Sequence, residues 1–271
     1  MKTDVRVGVV TGNGFETEYF SFGEGETPAV IIPGLNLGRM TSSAGAVAKG
    51  YEKFAEKFTV YLIDRRRDPP PSYTVEEMAA DTAEAMDRLS IRDACVFGAS
   101  QGGMIAMEIA SRRPELVKKL ALASTAMKVT ADVFSPIEKW INLSKKGDGR
   151  ALCLDFGERI YPPETFGRMR AVLGAFGDAA TREDLEKFAV IAGGARDFDG
   201  SRDAALIKCP VLVGADREDL IFGDEALRVA EYFPGGAELF VTRGCGHAMY
   251  DTSPEFRERL LRFFTEQSGG L

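Results

Sequence analysis

Apolar residues in this chain fall into short unbroken runs, separated by longer stretches in which they recur at helical spacing. The runs are Ala29–Ile32, Val60–Ile63, Ala94–Phe97, Leu120–Ala123, Pro210–Val213 and Glu238–Val241. Continuous rather than alternating hydrophobicity predicts strands buried on both faces, as in a parallel sheet. The stretches between them predict helices. Val47, Tyr51, Phe54, Ala55 and Phe58 share one helical face. Thr74 with Glu77 forms a capping box ahead of Met78, Thr82, Ala85, Met86 and Leu89. Met104, Ile105, Met107, Ile109 and Ala110 give a third helix, and a fourth is predicted around Asp224–Tyr232. Ser253 caps a final helix with Pro254 in its first turn. At the amino end, Val5, Val7 and Val9, then Tyr19 and Phe20, flank the turn signal Thr11-Gly12-Asn13-Gly14. That reads as an antiparallel edge pair. The expected class is α/β, with a mostly parallel central sheet flanked by helices.

The alternation stops near Met127 and resumes near Pro210. In between, helical patterns run over Ile137–Lys145, Leu152–Ile160, Phe166–Leu173 and Arg182–Ile191, with no convincing strand. We therefore divide the chain into a core, residues 1–126 and 209–271, and a helical insertion, residues 127–208. The insertion carries Phe134, Trp140, Phe156, Phe166, Met169, Phe176 and Phe188. Most should form its own core. Those facing the strand ends would shape an apolar cavity.

Composition narrows the function classes. Of 271 residues, 45% are hydrophobic and 28% charged, with a net charge of −7. Mild acidity argues against a nucleic-acid-binding surface. The amino-terminal MKTDVRVGVVTGNGF has no apolar signal core, and no run approaches a membrane span. The four cysteines, Cys95, Cys153, Cys209 and Cys245, are scattered without a Cys-x-x-Cys pair, which fits reduced thiols in a cytosolic protein. One histidine and no ligand cluster speak against a metal site. No dinucleotide fingerprint follows the early strands, so no organic cofactor is expected.

The chemistry gathers where strands end. After Ala94–Phe97 comes Gly98-Ala99-Ser100-Gln101-Gly102-Gly103, and then a helix. A serine on a sharp strand-to-helix turn is the setting of a nucleophile elbow. The turn lifts the hydroxyl above the sheet, and small neighbours make room for it. A serine hydroxyl needs a base within hydrogen-bond reach. The chain has one histidine, His247, between the last strand and the last helix. Three carboxylates follow the strand at Val211–Val213: Asp216, Glu218 and Asp219. Any of them preserves the order serine, acid, histidine.

In these features the chain resembles the α/β-hydrolase superfamily, specifically small prokaryotic members with a helical cap. The likeness runs from the Ile-Pro-Gly loop at Ile32–Gly34 to the His247 segment. It implies that Ser100 is the nucleophile, His247 the base, and an acid from the Asp216–Asp219 loop their partner. The sequence Asp219-Leu220-Ile221-Phe222-Gly223 resembles the family's acid, apolar step and turn residue, which favours Asp219. The implied oxyanion donors are the backbone amides of Gln101 and Leu35, with Asn36 as the alternative to Leu35. Pro33 departs from the family by standing where a histidine commonly precedes the glycine. A serine at the elbow, rather than aspartate, sets aside dehalogenase and epoxide-hydrolase chemistry. The expectation is hydrolysis of a small ester or related acyl compound through an acyl-enzyme, without metal or cofactor. A thioesterase, lactonase, carbon–carbon bond hydrolase or acyltransferase would carry the same residues, and a non-catalytic ligand receptor is the reading from another class. Expected partners are small-molecule substrates, not nucleic acid or membrane. Finally, Arg65-Arg66-Arg67 either faces the site and favours anionic substrates or is a solvated charge run ahead of Pro69-Pro70-Pro71.

Overall fold

A computed structural model describes residues 4–266. Eight strands form one sheet in the order β1-β2-β4-β3-β5-β6-β7-β8. In chain order these are β1 (Val5–Thr11), β2 (Glu16–Phe22), β3 (Thr27–Ile32), β4 (Phe58–Arg66), β5 (Ala94–Ala99), β6 (Val117–Ala123), β7 (Val211–Asp216) and β8 (Glu238–Thr242). The amino-terminal pair β1 and β2 is antiparallel, and β2 joins β4 antiparallel. From β4 to β8 every pairing is parallel. The unbroken apolar runs are the reason: β5 and β7 are buried at every position. At the sheet edge the pattern works differently. Val7 and Val9 on β1 face outward, 61% and 47% exposed, while Val10 is buried.

The helices are α1 (Ala44–Gly50), α2 (Glu52–Ala55), α3 (Val75–Arg88), α4 (Gln101–Arg112), α5 (Ala131–Lys145), α6 (Gly149–Ile160), α7 (Pro163–Ala179), α8 (Arg182–Gly193), α9 (Asp224–Arg228), α10 (Met249–Thr252) and α11 (Pro254–Thr265). The capping box at Thr74 and Glu77 forms with both of its bonds. The single helix expected through Val47–Phe58 is broken at Tyr51, whose φ of −112° ends α1, and β4 already begins at Phe58. The expected helix at 137–145 starts earlier, at Ala131, with Thr130 capping it and Pro136 inside. Around Asp224–Tyr232, α9 passes into a 3-10 turn at Val229–Tyr232.

Two apolar cores cover the sheet. On one face Phe20, Phe22, Val60, Leu62 and Phe97 pack with Phe256, Leu260 and Phe264 of α11. On the other, Val30, Ile32, Ile63 and Val96 pack with α3 and α4 through Met78, Met86 and Ile105. The helices α5–α8 lie between β6 and β7 in the chain, and among the described residues this stretch contains no strand. Within it α6 and α7 approach backbone to backbone. A Cβ on Gly177 would sit 2.3 Å from the carbonyl oxygen of Gly149.

Candidate active site

Ser100 lies between β5 and α4 with φ 54° and ψ −125°, a strained conformation for a residue with a side chain. The surroundings fix it from three sides. Its N–H donates to Ala123 O at 2.9 Å, and its carbonyl accepts from Thr125 Oγ1 at 2.7 Å and from Gly103 N at 2.9 Å. The small neighbours are demanded by contact: a Cβ on Gly102 would lie 2.1 Å from Ile32 O, and one on Gly98 2.4 Å from Gly102 O. Thr125 gave no signal in the sequence, because its role depends on β6 ending beside β5.

The loop after β7 separates its carboxylates by partner. Asp219 places Oδ1 and Oδ2 at 3.0 and 2.9 Å from Nδ1 of His247. Its Oδ1 also accepts from the backbone N–H groups of Ile221 and Phe222 at 2.7 and 3.1 Å. Burial pushes the Asp219 pKa up, but the charge and hydrogen bond of His247 and the two amides outweigh it, leaving the carboxyl below its ordinary value. Asp216 is fully buried and faces elsewhere. Its Oδ2 accepts from Thr242 Oγ1 at 2.6 Å and Cys245 N at 3.1 Å, and its Oδ1 from Glu218 N at 2.9 Å. It ties the acid-bearing loop to the histidine loop without touching the ring. Glu218 makes no bond to His247 among the described residues.

His247 is 3% exposed. The Phe222 ring stands 5.3 Å from it, centroid to centroid. Next to it, Ala248 N donates to Ile160 O at 2.8 Å, so the last carbonyl of α6 is bound to the histidine loop.

Ser100 and His247 line one cavity, together with Leu35, Gln101 and Tyr250. The opposite wall comes from α5, α6, the end of α8 and the turn after it: Ile137, Trp140, Phe156, Ile160, Ala192 and Ala195. Of the aromatic residues expected to shape such a cavity, Trp140 and Phe156 do so; their rings lie 4.7 Å apart, and Trp140 Nε1 donates to Asp155. No aspartate, glutamate, lysine or arginine side chain lines the space. Among the described residues the Ser100 hydroxyl makes no hydrogen bond.

Gln101 is the first residue of α4, so its N–H has no partner within the helix and sits at the helix's positive end. Leu35 lines the cavity beside it. Asn36 does not line it, and its side-chain amide donates instead to Gly38 O at 2.9 Å, bracing the loop after β3. The arginine run fits neither expected role. Arg66 pairs with Asp81 at 2.9 Å and Arg67 with Glu18 at 2.8 Å, while Arg65 is buried and bonds Gln101 at 3.3 Å. None of the three lines the cavity. Among the described residues no group of three or more histidine, cysteine, aspartate or glutamate side chains is placed to hold a metal ion. No described helix is long and apolar enough to cross a membrane.

The chain is similar to known proteins along most of its length. A curated relative from Rhizobium rhizogenes, "Putative carbamate hydrolase RutD", is 28% identical over 231 residues, covering 80% of this chain and 86% of its own length. The crystal structure of MGS-M2, an alpha/beta hydrolase enzyme from a Medee basin deep-sea metagenome library, superposes with a TM-score of 0.86 at 22% identity, over 97% of this chain and 99% of that one. The enol-lactonase from Burkholderia xenovorans LB400 does so with a TM-score of 0.81 at 22% identity, over 96% and 100%. Residues 29–259, which span every position discussed above from Leu35 to Ala248, match the profile of the alpha/beta hydrolase family, and to that family the chain belongs.

Proposed function

We propose that this protein is a serine hydrolase that cleaves a small, neutral carboxylic ester or related acyl compound through an acyl-enzyme. The observation that carries the reading is the buried Asp219–His247 pair beside the cavity that Ser100 enters from a strained turn. In this reading Asp219 holds Nδ1 protonated and leaves Nε2 free to accept the Ser100 proton as the hydroxyl oxygen attacks the acyl carbon. The oxyanion that forms is met by the backbone amides of Gln101 and Leu35. His247 then gives its proton to the leaving group, and a water repeats the cycle to release the acid. No step requires a metal or an organic cofactor. Residues 127–208 act as a cap whose apolar wall receives the acyl group, and the absence of charged side chains from the lining favours a neutral one.

The curated relative supports a carbamate as a second candidate, since attack on a carbamate carbonyl uses the same residues and the same oxyanion. A fluorophosphonate probe tests the reading together with a panel of p-nitrophenyl esters and carbamates. Wild-type protein should be labelled at Ser100, and Ser100→Ala should lose labelling and about 10⁴-fold or more in turnover. Labelling at another residue, or a fully active Ser100→Ala, would overturn it. The ratio of ester to carbamate turnover chooses between the two substrate classes.

A further inference from the structure

Arg65 is placed at odds with the rest of the molecule. It is the last residue but one of β4, its side chain inside the protein, 3% exposed, and two of its guanidinium nitrogens, Nε and Nη1, are buried without any partner among the described residues. The third, Nη2, reaches Gln101 Oε1 at 3.3 Å. Asp64 beside it offers no ion pair within 4.0 Å among the described residues; its carboxylate accepts from the backbone N–H of Arg65 and of Met40, at 2.8 and 3.0 Å. Tyr73, the other near neighbour, spends its hydroxyl on Asp81 at 2.7 Å.

A buried cation without a counter-ion is costly, and an apolar side chain of similar volume is often as stable or more so. One long hydrogen bond to a neutral amide and the nearby charge of Asp64 do not offset that cost, since burial still pushes the guanidinium pKa below its ordinary value, so packing alone gives no reason for arginine here. What Arg65 does touch is informative. Gln101 follows the proposed nucleophile and carries one of the proposed oxyanion donors. Its side chain is held at both ends, Oε1 by Arg65 and Nε2 by the carbonyl of Ile191 in α8 at 2.7 Å. The fixed amide lies between a positive charge and a cap helix, at the first turn of α4.

We propose that Arg65 is a positioning residue for the oxyanion site: through the Gln101 side chain it fixes the amide that follows Ser100, and it sets a buried positive charge behind the place where negative charge develops. The proposal rests on the serine-hydrolase reading above. Preorganised charge of this kind acts in the transition state rather than on substrate binding.

The test uses the full chain with Arg65→Met, Arg65→Lys, Gln101→Met and the double variant Arg65→Met/Gln101→Met. Three quantities are read: kcat and KM for p-nitrophenyl butyrate, the rate of Ser100 phosphonylation by a fluorophosphonate, and Tm. Arg65→Met should lower kcat and the phosphonylation rate about tenfold to a hundredfold. KM should stay within about twofold, because ground-state binding is untouched. Tm should equal or exceed that of the wild type, and Arg65→Lys should recover part of the rate. The double variant should be no slower than the slower single one, since both remove the same contact. Wild-type rates in Arg65→Met overturn the inference while leaving the hydrolase reading in place. A joint fall in Tm and rate, unrelieved by lysine, assigns Arg65 a structural role and also overturns it. A wild-type protein that hydrolyses no ester and is unlabelled at Ser100 overturns both.

Discussion

In the loops that follow the strands, polar bonds fix each position. Ser100 is held through its own backbone by Ala123, Thr125 and Gly103, Asp219 by two amides, and the histidine loop by Asp216 and Ile160. The segment between β6 and β7 meets the same cavity with Ile137, Phe156, Ile160, Ala192 and Ala195, which have no polar side-chain atoms to direct. Trp140 alone of that wall is anchored by a side-chain hydrogen bond. Even the outer helix α7 leaves Val172 and Phe176 exposed, at 67% and 47%. One region is specified by direction and the other by shape. Changes in the first should strike rate, and changes in the second should strike selectivity.

The sharpest way to break that contrast lies inside the first region, between two aspartates three positions apart. Asp219→Asn should cost about 10⁴-fold in turnover, because the imidazole then takes the wrong tautomer. Asp216→Asn should stay within about tenfold in turnover yet lose about 1–3 kcal/mol of stability, since one of its three N–H or O–H donors is left facing an NH₂ group. Kinetics and denaturant unfolding on both variants check this, and the opposite ranking would make Asp216 the acid.

A smaller effect follows from the depressed Asp219 pKa. A carboxyl whose folded-state pKa lies below its unfolded value stabilises the fold above the unfolded value, about 3.9 for aspartate, and that contribution is lost as pH falls further through the folded value. The stability gap between wild type and Asp219→Asn should therefore narrow as pH falls from about 4.5 toward about 2. Urea unfolding across that range measures it, and a gap that widens on acidification would reverse the sign of the shift.

The second region is probed by Phe156→Ala, which removes half-buried wall opposite Ser100. The preferred acyl chain of p-nitrophenyl esters should lengthen while kcat on the best substrate stays within about tenfold, because no group that meets the reacting atoms has changed. An unchanged chain-length profile would mean that shape at this wall does not select substrate.

The centre of the sheet was legible because strands such as β5 and β7 are buried on both faces, and continuous runs such as Ala94–Phe97 carry that signature directly; the run at Glu238–Val241 reads the same way, yet β8 is an edge strand left largely exposed. Where an element depends on its neighbours the sequence said less. Val7 and Val9 look like one apolar face but lie outward on the edge strand. Pro136 looks like a boundary, yet α5 begins at Ala131 and carries it inside. For the candidate site, the residue types and their order along the chain could be read, while most contacts could not. Spacing left Asp216 and Asp219 open; the turn that sends one to His247 and the other to Thr242 closes through Asp219 N and Asp216 O, a bond no periodicity announces. Thr125 and Tyr250 were invisible as site neighbours because one follows β6 and the other lies in α10, and Arg65 was read as a candidate substrate contact, with nothing in the sequence to show that it reaches Gln101.

The single histidine has a practical corollary. In a chain of 271 residues with one imidazole, every histidine resonance in a nitrogen or proton NMR spectrum originates from the ring bonded to Asp219. A ring N–H shielded from solvent and hydrogen-bonded to carboxylate exchanges slowly and resonates far downfield, so its shift would follow inhibitor binding without any assignment. Acylation of the ring by diethyl pyrocarbonate has a stoichiometric ceiling of one. The protein thus carries its own reporter at the point of interest, provided it is purified without a polyhistidine tag.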